Sequence, residues 1–193
     1  MSNNSMTADS APIKAHEVTG TRRTILAGMM AAVLSVLSIL QIPMPSGVPI
    51  TLQTFAVALC GYVLGPSLGA IAALIYLLLG AVGVPVYSGM TGGPGILFGM
   101  TGGFIWGFVP MAALCGIGMR KGLNWTSFVC GLAGLASCHV LGFLWFAHVM
   151  GMGIGESFLL VSVPYLVKDV LSVVGAALIA VALKKALRKA SLM

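Results

Sequence analysis

Charge is what this chain has least of. Charged residues are 7 % of its 193 positions, and only four are acids: Asp9, Glu17, Glu156 and Asp169. Soluble domains carry roughly 25 % charged residues, so a soluble fold of this composition could not cover its own surface. No G-x-x-x-x-G-K-[S/T] string occurs, which leaves no visible ATP site. The four cysteines, Cys60, Cys115, Cys130 and Cys138, lie in apolar stretches without a C-x-x-C pair, which removes the common redox and zinc spacings. They read as small buried side chains. His139 adjoins Cys138, but neighbours on a helix point about 100° apart and do not converge on an ion. No metal is expected.

What the chain does have is apolar surface. Hydrophobic residues make up 59 %, and the 26 glycines suit close helix–helix approach in lipid. The formal net charge of +6 sits at the edges of the apolar runs. Arg22 and Arg23 precede the first run, Arg120 and Lys121 fill a mid-chain gap, and Lys184, Lys185, Arg188 and Lys189 follow the last. Such flanks belong to membrane spans and make no continuous basic face of the kind that tracks nucleic-acid phosphates.

Residues 1–21 are polar and mixed and read as a disordered cytoplasmic tail, followed by one domain over 22–189. Thr21-Arg22-Arg23-Thr24-Ile25-Leu26 has the look of a twin-arginine export signal, but the run to Leu40 ends without a small-x-small cleavage site, so a retained helix is expected. The fold class is all-α and integral to the membrane, with six transmembrane helices. The first is expected over Thr24–Gln41. Three prolines and a glycine make 42–50 a loop. Thr51–Val84 is too long for one span and breaks at Gly65-Pro66, giving a short second helix and a third. Residues 85–100 read as a glycine-rich loop. Helices over Thr101–Met119, Trp125–Val149 and Pro164–Leu187 complete the set, with 150–163 a loop or surface-lying segment. Six spans place nine of the ten Lys and Arg residues on one side, which predicts both termini in the cytoplasm of a bacterium, the protein being multi-pass in its cytoplasmic (inner) membrane.

Only Lys168 and Asp169 carry charge into a span, about one turn into the sixth helix. Charge there costs at least about 2.5–3.5 kcal/mol on insertion scales, so it marks a site unless the lysine merely snorkels. In a pocket, Asp169 would accept ligand N–H groups and Lys168 would meet an anionic group. Tyr165 shares their face at i,i+4. Thr51 and Gln53 open the second helix with uncharged hydrogen-bonding groups. Tyr87-Ser88-Gly89 and Thr101-Gly102-Gly103 allow close backbone approach to a ligand. The first helix carries a small-residue face, Ala27, Gly28, Ala31, Ala32 and Ser35, which serves either internal packing or a partner membrane protein. Three jobs fit these residues: a ligand-capturing transport subunit, a small intramembrane enzyme using Asp169, Lys168 and His139, or a ligand-free scaffold for assembly. The enzyme needs a nucleophile or metal constellation, and none has convincing spacing.

Ile42-Pro43-Met44-Pro45…Val48-Pro49-Ile50-Thr51-Leu52-Gln53-Thr54-Phe55-Ala56-Val57 closely resembles the first-loop signature of BioY proteins, the biotin-specific substrate-capture (S) components of energy-coupling-factor (ECF) transporters. Gly61-Tyr62-Val63-Leu64-Gly65-Pro66, Tyr76 to Val86, Thr101-Gly102-Gly103 and Pro164-Tyr165…Asp169 also fit, so the resemblance spans about residues 22–187 in order. It implies the six-helix S-component fold, an outward-facing biotin pocket, no enzymatic activity and no cofactor bound by this chain. It also implies docking through Ala27, Gly28, Ala31 and Ala32 to a transmembrane coupling protein, with ATP used by two partner ATPases. The motifs put Gln53, Tyr87 and Asp169 in or near the pocket, joining Lys168, Thr51, Ser88, Tyr165, Thr101 and Gly102 as candidate substrate-binding residues. Biotin's ureido group offers two N–H donors and one acceptor, its fused rings suit an aromatic wall, and its valerate carboxylate suits a cation. The chain departs from the family pattern at the sixth helix. Where the family reads Gly-Asp-x-x-Lys, Lys168 holds the glycine position and Ser172 the lysine position. The two lie about 400° of rotation and about 6 Å of rise apart, on neighbouring faces, so Lys168 is the expected replacement.

Overall fold

A computed structural model describes residues 15–189. Residues 1–14 of the expected tail lie outside the described residues. The first helix, α1 (Ala15–Ile39), begins nine residues before the expected Thr24. The remaining helices are α2 (Gln53–Leu64), α3 (Pro66–Ala81), α4 (Pro94–Phe98), α5 (Gly102–Gly118), α6 (Trp125–Met150), α7 (Ile154–Val161) and α8 (Val163–Lys189). Three have the length and apolarity to cross a membrane, over Gly20–Ile39, Trp125–Met150 and Val163–Leu187. Three more, α2, α3 and α5, are apolar but shorter.

Two expected loops contain structure. Within 42–50 the chain forms a minimal antiparallel ribbon, β1 (Gln41–Ile42) against β2 (Ile50–Thr51), in register Gln41↔Thr51 and Ile42↔Ile50. Pro43, Pro45 and Pro49 prevent a helix here, but the residues at the two ends can still pair. Within 85–100, Pro94 starts the short helix α4, where a missing N–H costs nothing. The 150–163 segment contains α7, whose Ile154 and Leu159 face outward while Val161 is buried.

The break between α2 and α3 falls where expected. Gly65 takes a φ of +84°, which a Cβ would strain, and its N–H closes α2 on the Gly61 carbonyl. Asn124 caps α6: its side chain accepts from Ser127 N at 3.2 Å, while Ser127 Oγ accepts from Asn124 N at 3.2 Å. Helix α5 runs through the middle, packed on α2, α3 and α6. Backbones meet there at glycine. A Cβ on Gly61 would stand 2.8 Å from Cys115 Cβ, and one on Gly107 2.8 Å from Cys138 Cα. The outward faces are apolar instead of charged, as on α8, where Val167, Leu171 and Leu178 are exposed. Lipid solvates such a surface; water does not.

The small-residue face of α1 divides in two. Ala27 and Ala31 are each 1 % exposed, packed inside their own chain, whereas Gly28 and Ala32 are exposed beside Ile25, Met29 and Val36. Cys60 of α2 comes near enough to donate to the Met30 carbonyl. Ala27 and Ala31 therefore serve internal packing, contrary to the docking role expected for them. The exposed pair remains as an outward small patch.

Candidate functional site

The charged pair of α8 is buried at the centre of a polar cluster. Asp169 is 4 % exposed. Its Oδ2 lies 3.2 Å from His139 Nε2 on α6, and His139 Nδ1 lies 3.1 Å from Ser162 Oγ. Ser162, before the start of α8, and Asp169 thus fix both ring nitrogens, and the Phe104 ring stands edge-on to the imidazole at 5.8 Å between centroids. Oδ1 faces the Lys168 ammonium as an ion pair but has no hydrogen bond of ordinary geometry among the described residues. Lys168 also donates to the Thr51 carbonyl at 3.0 Å. A buried carboxylate is costly unless it is paired, and this one, held by Lys168 and His139, borders a small chamber of about 50 Å³.

The ribbon loop closes over that chamber. Tyr165 donates its hydroxyl proton to the Val48 carbonyl and lies 2.7 Å from Ser46 Oγ. With Lys168 on Thr51, two side chains of α8 pin the tip of the loop and its returning arm. A larger cavity of about 300 Å³ adjoins, and Val48, Pro49, Gln53, Phe104 and Phe108 face both spaces. Gln41, Tyr87, Ser88, Thr91 and Thr101 line its far side. Gln53, at the start of α2, accepts from Thr51 Oγ1 at 2.9 Å and donates from Nε2 to Tyr76 OH at 2.7 Å.

Tyr87 reaches this wall from a tight turn in which Gly89 and Met90 both take positive φ, at +69° and +59°. Its N–H donates to the Thr91 carbonyl at 2.9 Å, and the Gly89 N–H reaches the Ile39 carbonyl at 3.2 Å. Ser88 Oγ donates to Gln41 Oε1 at 2.5 Å, tying the turn to β1. The Tyr87 ring lies over Gly80, in space a Cβ would occupy, and its hydroxyl donates to the Leu77 carbonyl at 2.6 Å. Burial, and then the Tyr76 phenol beside it, pushes the Tyr87 hydroxyl well above its ordinary pKa, so it stays a protonated donor. Its ring meets Tyr76 edge-to-face at 5.4 Å. Tyr87 is therefore an aromatic wall whose hydroxyl is already used.

Eight of the nine candidate substrate residues, Asp169, Lys168, Gln53, Thr51, Tyr87, Ser88, Tyr165 and Thr101, line one or both of these adjoining spaces. Gly102 lines neither. A Cβ there would run into the Leu97 carbonyl, so this glycine lets α5 start against α4. Lys168 also differs from expectation. Paired with Asp169, it puts both charges at one point, where they cannot grip opposite ends of an elongated ligand. Ser172 is half-buried and lines neither space. The residue with no assigned place in the expected pocket is His139. Its signal was a lone imidazole in an apolar helix, which demands a buried polar partner; the sequence does not say which.

The family model for the BioY family matches residues 5–189. A biotin transporter BioY from Thermotoga maritima is 38 % identical over 168 residues, covering 85 % of this chain and 96 % of that protein. A biotin transporter BioY from Rhizobium etli is 35 % identical over 172 residues, covering 82 % and 91 %. In fold, the chain is similar to the crystal structure of the S-component for biotin from an ECF-type ABC transporter, with a TM-score of 0.79, 24 % identity, and coverage of 87 % of this chain and 93 % of that one. With nearly its whole length matched by the family model and by relatives of this similarity, this multi-pass membrane chain belongs to the BioY family.

Proposed function

We propose that this chain captures biotin at the outer face of a bacterial cytoplasmic membrane, as the substrate-specific subunit of an ECF-type transporter. The single observation that carries the reading is Asp169: a buried carboxylate, ion-paired with Lys168 inside a helix of membrane-spanning length, on the wall of a cavity. A ureido N–H is a donor of the required kind. The two fused rings lie against Phe104 and Phe108, and Gln53 supplies a further amide at the boundary of the two spaces. A cavity of about 300 Å³ falls at the lower end of the usual range for small-molecule sites.

The pairing of Lys168 with Asp169 decides the orientation. Biotin's ureido group and its valerate carboxylate are at opposite ends of the molecule. The ureido end sits at Asp169, where Lys168, its ion-pair partner, is placed to donate to the ureido oxygen. The tail runs into the larger cavity, towards the hydroxyls of Ser88, Thr91 and Thr101. His139, held by Ser162, keeps Oδ2 engaged while Oδ1 changes partner. Binding releases Lys168 from Thr51 and loosens one of the two pins on the ribbon loop.

Membership of this family makes the chain a transport component and not an enzyme. The six-span arrangement, both termini cytoplasmic, is supported by the charge asymmetry and by three long and three shorter apolar helices. Uptake would draw on ATP hydrolysed by two partner ATPases through a transmembrane coupling protein, with no cofactor in this chain. For docking, the exposed Gly28 and Ala32 replace the buried Ala27 and Ala31. Isothermal titration of biotin into detergent-purified protein tests the reading. Saturable one-to-one binding is expected; no heat and no thermal stabilisation at saturating biotin would overturn it.

A further inference from the structure

A second concavity lies far along α8 from the charged pair. It is an open groove of about 560 Å³ between the last turns of α8 and the turn joining α5 to α6, lined by Met119, Leu123 and Val181 and rimmed by Lys184, Lys185 and Lys189. On α8 the residues Val181, Lys184, Lys185 and Lys189 fall within about 140° of arc, so one face carries the apolar floor and all three ammonium groups. Arg120 and Lys121 occupy the same turn as Met119 and Gly122.

The two halves of this surface ask for different things. An apolar floor alone would be filled by any acyl chain. Lysines alone would be satisfied by counter-ions. Together, at the end of a helix long enough to span a membrane, they match a ligand with an apolar chain and a phosphate in fixed order. We propose that this groove is a binding site for an anionic glycerophospholipid, one acyl chain along Met119, Leu123 and Val181 and the phosphate among Lys184, Lys185 and Lys189. Anionic leaflets attract juxtamembrane lysines in general; the groove adds a seat for the chain. Such a lipid would fix the end of α8 against the α5–α6 turn without touching the cavity at its other end.

The test is native mass spectrometry of the full chain in detergent, with dioleoyl-phosphatidylglycerol or dioleoyl-phosphatidylcholine added in equal amounts. Phosphatidylglycerol should be retained preferentially, and Lys184→Gln/Lys185→Gln/Lys189→Gln should remove the preference, at about fivefold per lysine. Changing only the exposed Lys185 and Lys189 should remove most of it, which covers the case in which loss of the half-buried Lys184 disturbs folding. Arg22→Gln/Arg23→Gln, equally basic but at another helix, should leave the preference intact. Equal retention of both lipids by the unmodified protein, or equal loss in the arginine control, overturns the site. Displacement of the lipid by millimolar glycerol 3-phosphate would make it an anion site without a chain, and displacement by a poly-glutamate peptide would make it a seat for an acidic protein segment; either result overturns the lipid. Melting temperature and gel-filtration profile report folding for every variant, so the outcome does not depend on whether biotin binds.

Discussion

Replacing Asp169 with Asn separates the proposed ligand contact from the architecture around it. The side chains have nearly the same shape, so the packing around the position, including its neighbour His139, is kept. What changes is charge and one acceptor. The carboxylate accepts from His139 with Oδ2 at 3.2 Å and, in the proposed complex, offers Oδ1, which faces Lys168 in the free protein, to a ureido N–H; an amide keeps one acceptor and turns a donor toward the other partner. A hydrogen bond to a charged group contributes about 1.5–3 kcal/mol, so biotin affinity should fall by about 10- to 150-fold. The ligand-free protein should also lose stability, because Lys168 is left partly buried without its counter-ion. The two effects are read separately: titration calorimetry gives Kd, and melting with and without biotin gives the ligand-dependent part. At a biotin concentration 100 times the unmodified Kd, binding stabilises by about 2.7 kcal/mol; a variant bound 100-fold more weakly gains only about 0.4 kcal/mol. A variant with unchanged Kd would show that Oδ1 does not meet the ligand, and the orientation built on it would fall. A variant that melts early but binds normally would leave Asp169 as a purely structural residue.

Gly80→Ala should drive the Tyr87 ring out of its place against α3 and into the larger cavity; overpacking of this kind costs about 1–3 kcal/mol, and biotin Kd should rise about tenfold, whereas Tyr87→Phe, which keeps the ring, should raise it far less. Removing the α6 cap with Asn124→Ala should lower stability by about 1 kcal/mol, seen as a lower melting temperature at unchanged biotin affinity. Ala27→Leu should unfold or aggregate the chain because the site is full, while Ala32→Leu should leave folding and biotin binding intact and reduce uptake by cells that carry the partner subunits; intact uptake with Ala32→Leu would exclude that face from docking.

The helical class, the approximate positions of the long helices and the identity of the charged pair were legible because each follows from local rules. Apolar runs of membrane length need lipid, prolines and Gly65 stop helices, and an intramembrane charge needs a reason to be there. The ribbon β1–β2 and the helix α4 were hidden in segments rich in proline and glycine, whose composition excludes long helices but not short pairings. Ala27 and Ala31 looked equivalent to Gly28 and Ala32, since the sequence shows a small stripe but not which side of it meets its own chain. Lys168 and Asp169 looked like two independent binding groups; the fold pairs them, brings His139 from another helix, and turns their neighbour Tyr165 onto the loop that closes the cavity. Local patterning fixes elements because helix and turn energies depend on residues a few positions apart. Which side chains converge is set by how helices distant in sequence pack, and no spacing along the chain encodes that.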